Sequence, residues 1–367
     1  MRIIRVTGHT HAGIIKEKKT DGVSVMEYRD VLEQARKNIG PNCRVCPVCN
    51  GIACGNTMPG PGSKAPGLGA NDNYNAWRKI KLNMDTIVEQ KPMDTSIELF
   101  GRTLAFPLLT APIGSIKMQF TPESNVADFN DQCMAACETR GILHAYGNGR
   151  TDDIFEQAIA SSAKYGNTGI PVYNPDSVEN IKQLMDMYKG QLPPVAMSIV
   201  VDSAGLPHLN SLMGGKGGTK SVNDLKELKA YMGLPMIVKG IMTVKGALKA
   251  VEAGADAIIV SNHGGRVLSD TPATAEVLPE IVDAVKGKTK ILVDGGIRSG
   301  LDVFKALAIG ADACLICRPV LIAYYGGRQE GIECYLDKIK AELMDTMYMC
   351  GASSISDISR EMIRLPK

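Results

Sequence analysis

The segment Ser261-Asn262-His263-Gly264-Gly265-Arg266 follows a fully apolar run, Ala257-Ile258-Ile259-Val260. It puts a titratable base and a permanent cation three positions apart at the end of a strand. A histidine there accepts a proton near neutral pH. An arginine offers a planar fork that matches a carboxylate. Two more apolar runs end in charge: Met236-Ile237-Val238 on Lys239, and Ile291-Leu292-Val293 on Asp294. A buried strand that ends in a charge is costly unless the charge has a partner, so three such ends point to a site. Asp202, after Val200-Val201, supplies a carboxylate able to fix an imidazole in one tautomer and to stabilise its protonated form. Lys239 supplies positive charge for an anion that forms during reaction. Base, carboxylate clamp and anion stabiliser together fit oxidation of a 2-hydroxy acid. The plainer alternatives are a satisfied core histidine and a surface ion pair.

These residues need a scaffold that gathers strand ends. From about residue 104 the chain alternates short apolar runs with amphipathic segments. Strands are expected over 104–110, 141–145, 169–172, 194–200, 236–239, 257–261, 290–294 and 313–317. Helical patterns follow, for example over 125–140, 176–189, 244–253 and 301–309, and a closing helix over 331–349. Strands alternating with helices read as an α/β fold, a (β/α)8 TIM barrel, whose sites lie at the C-terminal strand ends. An open doubly wound sheet ranks second, because no Gly-x-Gly-x-x-Gly follows an early strand. The domain reading is an N-terminal helical, Cys-rich extension over 1–100 and a barrel over 101–367. Residues 59–69 are rich in Pro and Gly and read as irregular. The Gly-rich segment 203–220 reads as a lid over the mouth, or as a surface loop without a role.

The last two strands suggest a phosphate site. Asp294-Gly295-Gly296-Ile297-Arg298-Ser299-Gly300 places glycines where backbone N–H groups approach an anion, with a helix N-terminus behind. Cys317-Arg318-Pro319 brings a second arginine at the next strand end. Loops after strands seven and eight are the usual phosphate grip of this fold.

The segment from Lys239 to Val320 resembles the FMN-dependent 2-hydroxy acid oxidase and dehydrogenase family, which includes glycolate oxidase, lactate oxidase and the mandelate dehydrogenases. The resemblance is carried by Val238-Lys239-Gly240, by Ser261 to Arg266, by Val293 to Ala311 and by Arg318-Pro319. It extends more weakly to Thr110-Ala111-Pro112 and Val201-Asp202. It implies FMN in the barrel, with Ala111, Pro112 and Ser261 beside the cofactor. By it, His263 takes a substrate proton while the flavin accepts a hydride equivalent. Asp202 orients His263, Arg266 binds the substrate carboxylate, and Lys239 sits at the flavin N1–C2 edge. Asp294 faces the ribityl chain. Gly295, Gly296, Arg298 and Arg318 lie at the phosphate. The resemblance also implies a homo-oligomer.

The chain departs from that pattern at the substrate wall. A family tyrosine after strand three falls at Pro171, and another in the N-terminal segment falls among Asn56, Thr57 and Met58. A threonine before the strand-four aspartate is Val200, and Cys317 stands where glycine is common. The second arginine after strand four is absent, with Lys216 and Lys220 in that loop. The redox core is therefore expected intact and the substrate altered. Two other readings stand beside hydroxy-acid oxidation. One is a flavin isomerase or reductase on the same barrel. The other is a non-catalytic Cys-rich redox flavoprotein, against which the base set argues.

Cys43, Cys46, Cys49 and Cys54 form a C-x2-C-x2-C-x4-C run that the ordinary family lacks. Thiolates at such spacing suit a [4Fe–4S] cluster or zinc. Thiols without metal that enter the active site are the third option. A cluster would offer electrons an exit other than oxygen. The remaining cysteines, Cys133, Cys137, Cys314, Cys317, Cys334 and Cys350, read as core thiols. Net charge is +2, with 41 Lys+Arg against 39 Asp+Glu and no basic run, which argues against nucleic acid. No apolar stretch reaches the ~18 residues of a membrane span, and no signal-peptide pattern opens the chain. A cytoplasmic protein with reduced thiols is expected, acting on a small carboxylate substrate with an electron acceptor the sequence does not identify.

Overall fold

The computed structural model describes residues 26–54, 69–89, 91–114, 116–121, 124–147, 152–206 and 217–366. Eight strands form its centre: β1 (Leu108–Thr110), β2 (Leu143–Gly147), β3 (Gly169–Tyr173), β4 (Met197–Val200), β5 (Met236–Ile241), β6 (Ala257–Val260), β7 (Lys290–Val293) and β8 (Ala313–Ile316). Each pairs in parallel with the next, and β8 returns to β1, so the sheet closes into a (β/α)8 barrel. Closure leaves no unpaired edge. Apolar side chains on both faces explain the continuous apolar runs in the sequence. One face fills the barrel with Leu109, Leu143, Ile170, Ile237, Ile259, Leu292 and Leu315, and the other packs on the helices.

The helices begin and end where local chemistry dictates. Helix α1 (Tyr28–Asn38) and helix α2 (Gly69–Lys79) precede the barrel. Helix α3 (Val126–Arg140) starts where the Asn125 side chain accepts from the amides of Ala127 and Asp128, and stops at Gly141 with φ 65°. Helices α4 (Asp152–Lys164), α5 (Val178–Asp186), α6 (Val222–Met232), α7 (Val244–Glu252), α8 (Thr274–Val285), α9 (Gly300–Ile309) and α10 (Arg318–Met349) complete the ring.

Several boundaries differ from the sequence reading. The expected first strand, 104–110, divides: Arg102–Leu104 pairs antiparallel with Ile97–Leu99 as a hairpin, and only Leu108–Thr110 enters the barrel. Pro107 interrupts the run, since it has no N–H for a ladder. The hairpin packs Leu99 and Leu104 onto the barrel-filling cluster. The fourth strand begins at Met197 rather than 194, after Pro193 and Pro194. The closing helix is longer than expected, spanning Arg318–Met349 with a break at Gly327 and Arg328, where Arg328 has φ 52°. Gly69 opens a helix instead of closing an irregular stretch. Residues 59–68 and the centre of the expected lid, 207–216, lie outside the described residues. The described residues leading into it, Val201–Gly205, form a short 3₁₀ helix.

Candidate active site

The pleat of the barrel decides which side chains reach the mouth. Residues two apart share a face, so the inward positions Ile237, Ile259, Leu292, Leu109 and Leu315 lead to Lys239, Ser261, Asp294, Ala111 and Cys317. Lys239 is 4% exposed and donates to Ser261 Oγ at 2.6 Å and to Asp294 Oδ2 at 2.9 Å. Burial disfavours its charge, but the Asp294 and Asp202 carboxylates more than offset this and hold its pKa above the ordinary value. A buried ammonium with two carboxylates nearby therefore stays charged. A bulge between Lys239 and Ile241 shifts the register as β5 meets β6.

His263 follows β6 in the left-handed region, at φ 57°. Its amide donates to Ser261 Oγ at 3.1 Å, and its Nδ1 lies 3.1 Å from Asp202 Oδ1. Burial lowers the imidazole pKa below its ordinary value; Asp202 opposes this, while Lys239 and Arg266 reinforce it. Burial raises that of Asp202, but His263 and Lys239 outweigh it and keep the carboxyl below the usual range. The pair is thus a neutral imidazole against a carboxylate at pH 7. Gly240, at φ 103°, makes room for it: a Cβ there would fall 2.6 Å from Asp202 Cγ.

Arg266 completes the group. Burial, then the neighbouring Arg318, pushes its pKa down to about 10, which still leaves it charged at neutral pH. Arg318 donates to the Gly264 carbonyl at 3.1 Å. Two converging guanidinium groups attract an anion. Three buried polar atoms of this set, Asp202 Oδ2, Asp294 Oδ1 and Arg266 Nε, have no hydrogen-bond partner among the described residues. Native interiors rarely leave such atoms unpaired, so a polyhydroxylated, anionic ligand with a hydrogen-bonding ring system fits this mouth. FMN has those groups. Ala111, 3% exposed, sits across the barrel and donates its amide to Ile316 O at 2.8 Å; Pro112 follows at the rim.

Other expected residues also contact the N-terminal segment. Gly295 and Gly296, at φ 87° and 83°, pack against α2. A Cβ on Gly296 would stand 2.4 Å from the Asn73 carbonyl, and the Gly295 carbonyl accepts from Trp77 Nε1 at 2.8 Å. Arg298 directs Nε to the Cys49 carbonyl and Nη1 to the Ile297 carbonyl, both at 2.6 Å. These contacts tie the loop after β7 to the N-terminal segment.

Helix α2 was not singled out in the sequence, yet it holds the turn that carries His263. Asn73 exchanges hydrogen bonds with Asn262, at 2.7 and 3.2 Å, and accepts from the Thr274 amide at 3.0 Å. The Gly265 amide donates to Asn262 Oδ1 at 3.1 Å, and Gly69 packs on Gly265, with no space for a Cβ on either. The available signal was a helix whose buried face carries Asn73 beside Trp77.

His144 is the other described histidine. It lies on the helix-facing side of β2, packed edge-on against Phe129. Its Nδ1 is 2.7 Å from Thr110 Oγ1 and its Nε2 3.2 Å from Asn130 Oδ1; burial pushes its pKa down to about 3. Both nitrogens are engaged away from the mouth.

The four N-terminal cysteines line one cavity with Phe120, Ile322 and Arg318. No disulfide joins any of the ten cysteines. Burial pushes Cys43 up to about 11 and Cys46 above its ordinary value. Among the described residues no group of three or more His, Cys, Asp or Glu already stands in a metal-holding arrangement. Cys133, Cys137, Cys314 and Cys350 are buried, as expected of core thiols, whereas Cys317 and Cys334 are half-buried.

Comparisons with known proteins agree with this geometry. The sequence profile of the FMN-dependent dehydrogenase family matches residues 62–213 and 202–365. A peroxisomal (S)-2-hydroxyacid oxidase of Arabidopsis thaliana is 33% identical over 325 residues, covering 80% of this chain and 87% of the relative. An L-lactate dehydrogenase of Haemophilus influenzae is 29% identical over 338 residues, covering 79% and 89%. A mandelate oxidase crystallised with (S)-2-phenylpropionate superposes with a TM-score of 0.71 at 26% identity, over 92% of this chain and 97% of that one. Barrel, mouth and relatives converge: the chain belongs to the FMN-dependent dehydrogenase family.

Proposed function

We propose that the protein oxidises a small 2-hydroxy acid to the 2-keto acid, with His263 as base. The observation that carries this is the neutral His263 imidazole held by Asp202 at 3.1 Å, beside the buried cations Arg266 and Lys239. With Nδ1–H donated to Asp202, Nε2 keeps a lone pair for the substrate hydroxyl proton. The imidazolium that forms is stabilised by the Asp202 carboxylate. Arg266 receives the substrate carboxylate through its Nε, which has no hydrogen-bond partner among the described residues. FMN, when bound, supplies the acceptor for the hydride from the substrate carbon. Lys239 and Asp294 would hold its ring edge and ribityl hydroxyls, with Ser261, Ala111 and Pro112 beside it. Arg318, and the Gly295–Gly296–Arg298 loop, would lie at its phosphate.

In this reading the described residues of the N-terminal extension over 1–100, helix α2 and the cysteine segment among them, serve as a clamp on the barrel of 101–367. Thiols without disulfides fit a cytoplasmic setting, and the family relation supports a homo-oligomer. The test is the visible spectrum of anaerobic protein before and after a panel of 2-hydroxy acids. Bleaching of bound flavin by one acid supports the proposal, and re-oxidation by air or by an added carrier identifies the electron acceptor. Val200 and Pro171, apolar where the family places hydroxyls, favour a second reading as a flavin isomerase or reductase. Bound flavin that no hydroxy acid bleaches selects that second reading.

A further inference from the structure

We propose that Cys43, Cys46, Cys49 and Cys54 form a binding site for a thiophilic metal centre, either a zinc ion or a [4Fe–4S] cluster. All four line the same cavity. They come from one short segment, so drawing them together closes no long loop. The segment is held from outside by three donors on three different elements. Arg36 of α1 donates to the Val45 carbonyl at 3.1 Å, Asn71 of α2 to the Asn50 carbonyl at 2.9 Å, and Arg298 to the Cys49 carbonyl at 2.6 Å. Between the first two cysteines Val45 is 1% exposed and adopts φ 44°. A β-branched residue in the left-handed region is strained and persists where the surroundings impose it.

The surroundings also suit the charge of such a centre. Four thiolates around Zn²⁺, or around an oxidised [4Fe–4S] core, leave a net negative complex. Arg44 and Arg318 line the same cavity and supply the opposite sign. Phe120 and Ile322 supply an apolar wall, which strengthens that attraction. Metal binding supplies the free energy that brings the sulfurs into ligand range. The cavity shares Arg318 with the barrel mouth, but its metal content is read whether or not the flavin reading holds.

The test uses the full chain, purified under nitrogen. Zinc, iron and acid-labile sulfide are quantified as isolated, after loading with Zn²⁺ alone, and after loading with Fe²⁺ and sulfide. The expected result is about one zinc, or about four iron with matching sulfide, per chain. Cys46→Ser and Cys49→Ser are expected to reduce that content at least ~5-fold, and Cys334→Ser to leave it unchanged. Thiol alkylation read by mass spectrometry covers a variant that fails to fold. In the unaltered protein the bound metal should protect the peptide carrying these four cysteines and expose it again on chelation. Failure to take up metal under both loadings, equal uptake by the variants, or alkylation of that peptide indifferent to metal would each overturn the proposal.

Discussion

Replacing Asp202 by Asn removes the charge that faces His263 while keeping its size. The carboxylate oxygen lies 3.1 Å from His263 Nδ1, and both side chains are largely buried. When the base takes up a proton, the resulting ion pair at about 4 Å between charge centres is worth about 4 kcal/mol at an effective dielectric of about 20. At 1.36 kcal/mol per decade that is an upper bound near 10³-fold on the proton-transfer step. An asparagine amide can also turn its N–H₂ toward Nδ1 and impose the other tautomer, which acts in the same direction. The assay is stopped-flow flavin bleaching under nitrogen across pH 5 to 9. We expect the reduction rate to fall about 10²- to 10³-fold with flavin content unchanged. Activity requires the neutral imidazole, so the rate rises with pH through the His263 pKa. Asp202 is the one carboxylate raising that pKa, so the acid limb should move to lower pH in the variant. A rate within about threefold of the unaltered protein, or an acid limb moving upward, refutes the base assignment.

Other positions give independent checks. Gly240→Ala places a Cβ 2.6 Å from Asp202 Cγ at φ 103°. It should lower the melting temperature, at a cost of about 1–3 kcal/mol, and slow flavin reduction; an unchanged melt and rate would show that Asp202 is not held from this side. Lys239→Met leaves Asp294 buried without its cation, a loss of about 3–5 kcal/mol. Denaturant titration should register it, and Lys239→Met combined with Asp294→Asn should recover part of it. For His144 the folded pKa of about 3 lies below the ordinary 6.5, so the unfolded chain binds the proton first and stability falls as pH drops through that window. The expected slope is about 0.7 kcal/mol per pH unit at 6.5 and approaches about 1.4 by pH 5, measured as urea midpoints. His144→Gln should flatten it, and an equal slope in that variant would count against the assignment.

The features legible in the sequence are those whose cause is local. An apolar run ending in Lys239 or Asp294 announces a charged strand end, because the pleat that buries Ile237 and Leu292 carries the next inward position to the mouth. The repeat of strand and helix announces the barrel for the same reason. What stayed hidden depends on partners far along the chain. Asn73 and Asn262 stand 189 positions apart, and no periodicity links them. The paired glycines after β7 read as an anion cradle, and close packing calls for glycine there as well. The Asn73 carbonyl, 2.4 Å from where a Gly296 Cβ would stand, adds the packing demand to the first.

That close approach is one of several contacts between the N-terminal segment and the mouth. Helix α2 bonds to the turn that carries His263 through Asn73, and to the loop that carries Arg298 through Trp77. The cysteine segment bonds to Arg298 through the Cys49 carbonyl. Residues before the barrel therefore touch the loops after both β6 and β7, and through Arg318 they border the one after β8. A barrel can vary its mouth loops without disturbing its core. Here part of that variation is supplied by chain that precedes the barrel. A substitution in α2 should act on the mouth as directly as one in the mouth itself. Asn73→Ala leaves Asn262 and the Thr274 amide short of a buried partner, at about 1–3 kcal/mol. Because Asn262 also accepts from the Gly265 amide, the loss should loosen the His263 turn before it loosens the barrel. Hydrogen exchange should then rise at residues 262–266 while that of β5 and β6 stays as it was. Equal exchange at both, or none at either, would mean that α2 is packed on the mouth without governing it.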